Sequence, residues 1–313
     1  MRKWIAALII LILILALVFL LIPGKMNIHE KIIVPVNTKA FAREISDEQS
    51  WQQWWPVGVK QIKQFPASFE YNDNTYTIVE KKLSSLVISI SKTKDSVSTE
   101  LIFIPVQNDS IELTWNGVGK ATLNPIRRIQ YFSWIKGINS DLHFLLKKIF
   151  SFYSNEDNVY NLHIQKDFVV DSNLISTSTK LKTYPTTDFI YNMIDRLENY
   201  IQRNNARQTN PPMLNITKDL DGAYLTRVAL PVDRKLKDSG DIQYRWMLGG
   251  GNILITEVKG GPYQINRAFS EMANYVEDHH RIAPAISFQS LIIDRRQVPD
   301  TNKWITKIYW PVM

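Results

Sequence analysis

The chain has 313 residues, of which 45% are hydrophobic and 11% aromatic, and it contains no cysteine. This aromatic content is enough to build packed cores and excludes a disordered chain, while the absence of cysteine excludes disulfides, thiolate catalysis and cysteine-type zinc sites. The formal charge of +7 is spread over pairs such as Lys81-Lys82, Arg127-Arg128 and Arg295-Arg296 rather than gathered in a stripe, so no nucleic acid is expected as a partner.

Trp4 to Ile22 is an uncharged apolar run, preceded by Arg2 and Lys3 and closed by Pro23-Gly24-Lys25. At about 1.5 Å per helical residue it matches a hydrocarbon thickness of about 30 Å. A cleaved leader would need a shorter apolar core and a small-x-small cleavage site; neither is present. The expectation is a single-pass transmembrane anchor over residues 1–24, with the lipid bilayer as partner through residues 4–22. Arg2 and Lys3 place the N-terminus in the cytoplasm and the following domains in the periplasm or outside the cell. About 290 residues remain, enough for two domains.

Lys31–Val36 reads as a first strand, followed by short helical stretches over Lys39–Ile45 and Asp47–Trp54 that Pro56 ends. The segments Ser68–Lys82, Ser85–Ser91, Ser98–Val106 and Ser110–Trp115 are rich in Val, Ile, Thr and aromatic residues and are broken at Asn72-Asp73-Asn74, Thr93-Lys94-Asp95 and Asn108-Asp109. They predict an antiparallel meander. From Asn139 to Tyr153 the period becomes helical, with Leu142, Leu145, Leu146 and Ile149 on one face and Asn139 or Ser140 as N-cap.

Val34–Phe41, Ser46-Asp47, Trp51-Gln-Gln-Trp-Trp-Pro56, Leu113-Thr-Trp115 and Asn139–Ile149 together make this half resemble the SRPBCC superfamily of START and polyketide-cyclase-like proteins. The resemblance covers residues 28–160 and implies a helix-grip fold, a sheet wrapped around one long helix. Trp51, Trp54 and Trp55 read as residues of its core or its mouth.

The second half repeats itself. Thr226–Val232 and Thr306–Val312 align at an offset of 80, as do Leu174-Ile-Ser176 and Leu254-Ile-Thr256. Helices are expected at Asp188–Gln202 and Asn266–His279, with Ile190, Met193, Ile194 and Leu197 matching Phe269, Met272, Ala273 and Val276 at an offset of 79. Two copies of a strand-helix-strand unit, about 165–235 and 240–313, should pack into one domain with a cleft between them.

Gly261-Pro262-Tyr263 and the closing segment Pro299–Val312 make residues 165–313 resemble the GyrI-like, transcription-activator effector-binding domains. The resemblance implies a ligand-facing acid in the strand after the second helix, and Gln289 stands at that position here. An amide orients a ligand only through hydrogen bonds. Tyr263, Tyr309 and Trp246 are candidate aromatic walls of a pocket, and Glu257 is its nearest acid.

No HExxH, phosphate loop or Gly-x-Ser-x-Gly elbow is present, and adjacent His279-His280 diverge on a helix. No metal, no cofactor and no catalytic residue is therefore expected. The sequence describes an α+β protein with an N-terminal transmembrane helix, a helix-grip domain and a duplicated GyrI-like domain. Its expected role is membrane-tethered binding or sensing of apolar or amphipathic small molecules, the alternatives being a hydrolase or cyclase acting on a lipophilic substrate and a structural module with filled cavities.

Overall fold

The computed structural model describes residue 4 and residues 16–56, 66–106 and 109–313. The protein is a mixed α+β chain with two antiparallel sheets, divided into units Met1–Val159 and Tyr160–Met313.

Unit 1 runs β1 (Lys25–Val34), α1 (Thr38–Ser46), α2 (Trp51–Trp54), β2 (Ser68–Tyr71), β3 (Asn74–Lys81), β4 (Ser85–Lys92), β5 (Asp95–Pro105), β6 (Ile111–Lys120) and α3 (Pro125–Tyr153), then a short helix α4 (Glu156–Tyr160) that ends in unit 2. Its sheet has the order β1-β6-β5-β4-β3-β2. The side chains between sheet and helix fill that space with rings. Trp51 stacks on Phe69 with centroids 4.9 Å apart, and Trp55 meets Tyr76, which in turn meets Trp115. Trp51, Trp54 and Trp55 are all buried core residues.

The long helix begins fourteen residues earlier than its periodicity suggests. Asn124 caps it, with Oδ1 accepting from the amides of Ile126 and Arg127, and Pro125 occupies the first turn, where a missing N–H costs nothing. Asn139 is an interior residue of α3. Its Oδ1 accepts from the His29 amide at 3.2 Å, so its polarity serves β1 and not a helix start.

Unit 2 contains β7 (Gln165–Phe168), β8 (Asn173–Leu181), α5 (Thr187–Arg203), β9 (Met213–Lys218), β10 (Tyr224–Pro231), β11 (Gln243–Trp246), β12 (Asn252–Lys259), α6 (Pro262–Asp278), β13 (Phe288–Leu291) and β14 (Ile305–Pro311). The strand order β11-β8-β10-β9-β13-β14-β12-β7 reads as the same unit from either edge: β8-α5-β9-β10 is repeated as β12-α6-β13-β14, and β9 meets β13 at the centre.

The pairing sets three offsets where the sequence suggested two. Pro231 pairs with Leu174 and Pro311 with Ile253, so the closing strands match at 80 and the opening strands at 79. The helices match at 75: buried Ile190, Met193, Leu197 and Ile201 correspond to buried Ile265, Ala268, Met272 and Val276. The shift comes from the tighter β12–α6 connection at Gly260-Gly261. Gly260 takes φ +133°, and a Cβ there would lie 2.8 Å from Gln264 Cγ. Gln264 Oε1 accepts from the Gly261 amide at 3.1 Å, closing the helix start over Pro262.

One expectation is corrected. A bilayer-spanning helix needs about 20 apolar residues, and among the described residues no helix is long and apolar enough to cross a membrane. The helical turns described over residues 16–21 stop before β1 opens at Lys25, and residues 5–15 of the expected span lie outside the described residues. The lipid-bilayer partner, the membrane localisation and the orientation built on them do not stand.

Candidate ligand-binding face

Strand alternation sorts unit 2 into two faces. Ile175, Leu214, Val228 and Leu230 turn toward α5 and form its core. The residues between them in sequence turn to the opposite, helix-free face, where Val169, Leu174, Met213, Ile253 and Phe288 form a second apolar cluster. Phe288 stacks on Tyr309 with centroids 5.1 Å apart and planes 6° from parallel. A buried apolar cluster on a face without a helix makes the floor of a cleft.

Two cavities open on this floor, of about 470 and about 370 Å³. Met213, Met247 and Phe288 line both. The larger lies over the first copy and adds Trp246, Ile286, Arg227, Arg245 and Asp241. The smaller lies over the second copy and adds Tyr309, Phe168, Asp167, Asp171 and Lys307. Burial, helped by Asp171 and Asp167, pushes the Tyr309 phenol up. Its ring therefore presents a neutral hydroxyl over an apolar wall.

The charged groups of the larger cavity differ in their partners. Asp241 accepts from Thr177 Oγ1 at 2.7 Å and from Arg196 Nη2, and these two bonds hold its carboxyl below the usual range. Arg227 Nη1 donates to Asn215 Oδ1 at 2.8 Å and Thr217 Oγ1 at 3.1 Å, while Arg245 Nη2 donates to Gln243 Oε1. Among the described residues no cluster of three or more His, Cys, Asp and Glu could hold a metal ion, and no histidine lines either cavity.

The five residues singled out from the sequence are dispersed. Tyr309 lines the smaller cavity and Trp246, at 62% exposure, the larger. Gln289 is buried and faces the other side of the sheet, because Phe288 and Ser290 take the cleft-facing positions. There its Oε1 accepts from Arg295 Nη2 at 2.8 Å. Tyr263 is 75% exposed in the first turn of α6, and Glu257 is exposed opposite Lys307 in the β12–β14 register, outside the lining of both cavities.

Sequence reasoning passed over Arg227, Arg245, Met213, Met247 and Phe288. A signal was present for Arg227: a charged residue between the wholly buried Thr226 and Val228 must stand on the face that the helix leaves open.

No protein-family model and no curated protein matches the chain. Solved structures do. The EcmrR C-terminal domain matches with 14% identity and a TM-score of 0.41, over 49% of this chain and 98% of that one. EcmrR in a complex with DNA matches with 16% identity and a TM-score of 0.42, over 61% and 71% of the two chains. A hydrolase from Listeria innocua matches with 12% identity and a TM-score of 0.37, over 48% and 91%. The expectation that excluded nucleic acid is withdrawn, since one of these structures is of a protein on DNA.

Proposed function

We propose that residues 165–313 are a GyrI-like effector-binding module that takes an apolar or amphipathic small molecule on the helix-free face of its sheet. The observation that carries this reading is the apolar cluster of Met213, Phe288 and their neighbours at the base of two cavities whose sizes fall in the range of small-molecule sites, about 300–1,000 Å³. Binding would draw on removal of apolar surface from water, at roughly 25 cal/mol per Å² before the costs of association. The duplicated register of β8-α5-β9-β10 and β12-α6-β13-β14 supports the family assignment independently of overall similarity.

For residues 28–160 the filled interior favours a second reading. The ring chain from Trp51 to Trp115 occupies the space that a ligand would need between sheet and helix, so this SRPBCC-like unit acts as a structural or interaction module. Native mass spectrometry of the purified full chain tests the binding reading. A non-covalent adduct released at raised collision energy is expected. A bare chain whose thermal unfolding is also unmoved by a panel of apolar and amphipathic compounds would overturn it.

A further inference from the structure

The two cavities of unit 2 adjoin along the register of the sheet. Ala229 pairs with Met213, Met213 with Ser290 and Ser290 with Lys307, so these four stand in one row across β10, β9, β13 and β14. Ala229 lines the larger cavity, Ser290 and Lys307 line the smaller, and Met213 lines both. At about 4.8 Å per strand, the row measures about 14 Å along the sheet.

An exchange of edge strands roofs the middle of this row. β7 precedes β8 in the chain but pairs with β12, and β11 precedes β12 but pairs with β8. The connections 169–172 and 247–251 therefore run in opposite directions between the two halves of the sheet. They are tied to each other: Val169 N donates to Gly251 O at 2.8 Å, Gly250 N to Val169 O at 2.9 Å and Met247 N to Ser172 O at 3.0 Å. Val169 belongs to the apolar cluster of the helix-free face, and Met247 packs against that cluster. The pair of connections thus forms a strap over Met213 and Phe288, with a cavity opening on either side of it. The side chains common to both cavities are Met213, Met247 and Phe288, all apolar. Methionine is unbranched and rotates about three bonds, so it adapts its shape to an occupant.

We infer that the two cavities are the ends of one groove, and that its ligand is a single elongated aliphatic molecule, about 14 Å or longer. It lies across Met213 and Phe288 beneath the strap, with one end in each cavity. This rests on the small-molecule reading of the same face and adds the shape and stoichiometry of the ligand, which that reading left open. Each methylene buried is worth about fourfold in affinity, so a chain that crosses the shared floor gains over one confined to either side.

Isothermal titration of the full chain with hexanol, which is shorter than the row, and dodecanol, which spans it, tests the inference. Dodecanol is expected to bind at one molecule per chain. Ala229→Trp and Lys307→Trp block the row at its two ends, one in each cavity. Barring two or more methylenes from the groove, each variant should weaken dodecanol by about tenfold or more, while hexanol still binds in the cavity left open. Thermal unfolding of both variants checks that they remain folded, and the stoichiometry is read on the natural chain. Dodecanol weakened by only one variant, or bound at two molecules per chain, would overturn the single groove and leave the small-molecule reading standing. Dodecanol untouched by both variants, or binding of neither alcohol, removes both readings.

Discussion

Leu214 and Gln289 hold the same position in the two copies of unit 2, and they pair with each other directly where β9 meets β13. Val228 pairs with Leu214 as Ile308 pairs with Gln289, so the internal symmetry of the sheet passes between these two residues. The first copy fills its position with an apolar side chain packed under α5. The second fills it with an amide bonded to Arg295, whose guanidinium is buried, lies over Trp304 and also donates to Thr306 Oγ1 at 2.9 Å.

Making the two copies alike at this point should be costly. Gln289→Leu removes an acceptor from a buried cation and should lower stability by about 2 kcal/mol. Gln289→Glu supplies a counter-charge to a cation that is already buried and should be at least as stable as the natural chain at neutral pH. Urea unfolding of both variants measures the difference. A Gln289→Leu chain of unchanged stability would show that Arg295 does not depend on the amide.

Asp141 occupies a comparable place in unit 1. Its oxygens accept from Asn72 Nδ2 at 2.8 Å, Asn74 Nδ2 at 2.9 Å and Tyr76 OH at 3.3 Å. Asp141→Ala strands these donors in a buried setting and should cost about 3 kcal/mol, read as a shift of the urea midpoint. The Tyr76 hydroxyl, pushed up by burial and by Asp141, should titrate earlier in this variant.

Trp51 is wholly buried, and its Nε1 donates to Ile45 O at 2.8 Å. Trp51→Ala should lower stability by about 3–5 kcal/mol. Trp51→Phe retains a ring but leaves the carbonyl unsatisfied, at a cost of about 1–3 kcal/mol. Thermal unfolding followed by circular dichroism orders the two.

Tyr309 gives an alkaline signature. Its folded-state pKa is raised, so above about pH 10 the unfolded chain loses this proton first and the folded state binds more protons. Stability should therefore fall as pH rises above that value, until the folded phenol itself ionises. Tyr309→Phe should flatten this part of the profile and remove one late-titrating phenol from the absorbance at 295 nm. An unaltered alkaline limb in the variant would contradict the burial argument.

Much of the architecture is legible in the chain itself. Strand patterning locates β3 to β5 to within a few residues but ends β6 at Trp115 instead of Lys120, and Pro-Val at 231–232 and 311–312 announces the duplication. The start of α3 is obscured because Ile126, Ile129 and Phe132 are exposed on its surface, which blurs its apolar face, while Asn139 imitates a cap. The helical offset of 75 is hidden by a shortened loop at Gly260-Gly261, which no strand pattern reports.

The site is less legible than the fold. Gln289 draws attention by its place in a motif, yet period-two alternation sends it to the helix side and gives the cleft to Phe288 and Ser290. Arg227 and Arg245 stand on consecutive strands, β10 and β11, that pair with opposite edges of β8. Only the strand order brings them to one cavity.

The central claim is that the helix-free face of unit 2 holds a small molecule, and filling its cavity tests this most directly. Ala229 lies in that cavity on β10, between Val228 and Leu230, which turn toward α5. Titration calorimetry of decanol into the full chain and into Ala229→Trp should show binding that the variant abolishes while its thermal unfolding stays cooperative. Equal binding by the two folded chains would place the ligand elsewhere and contradict the account.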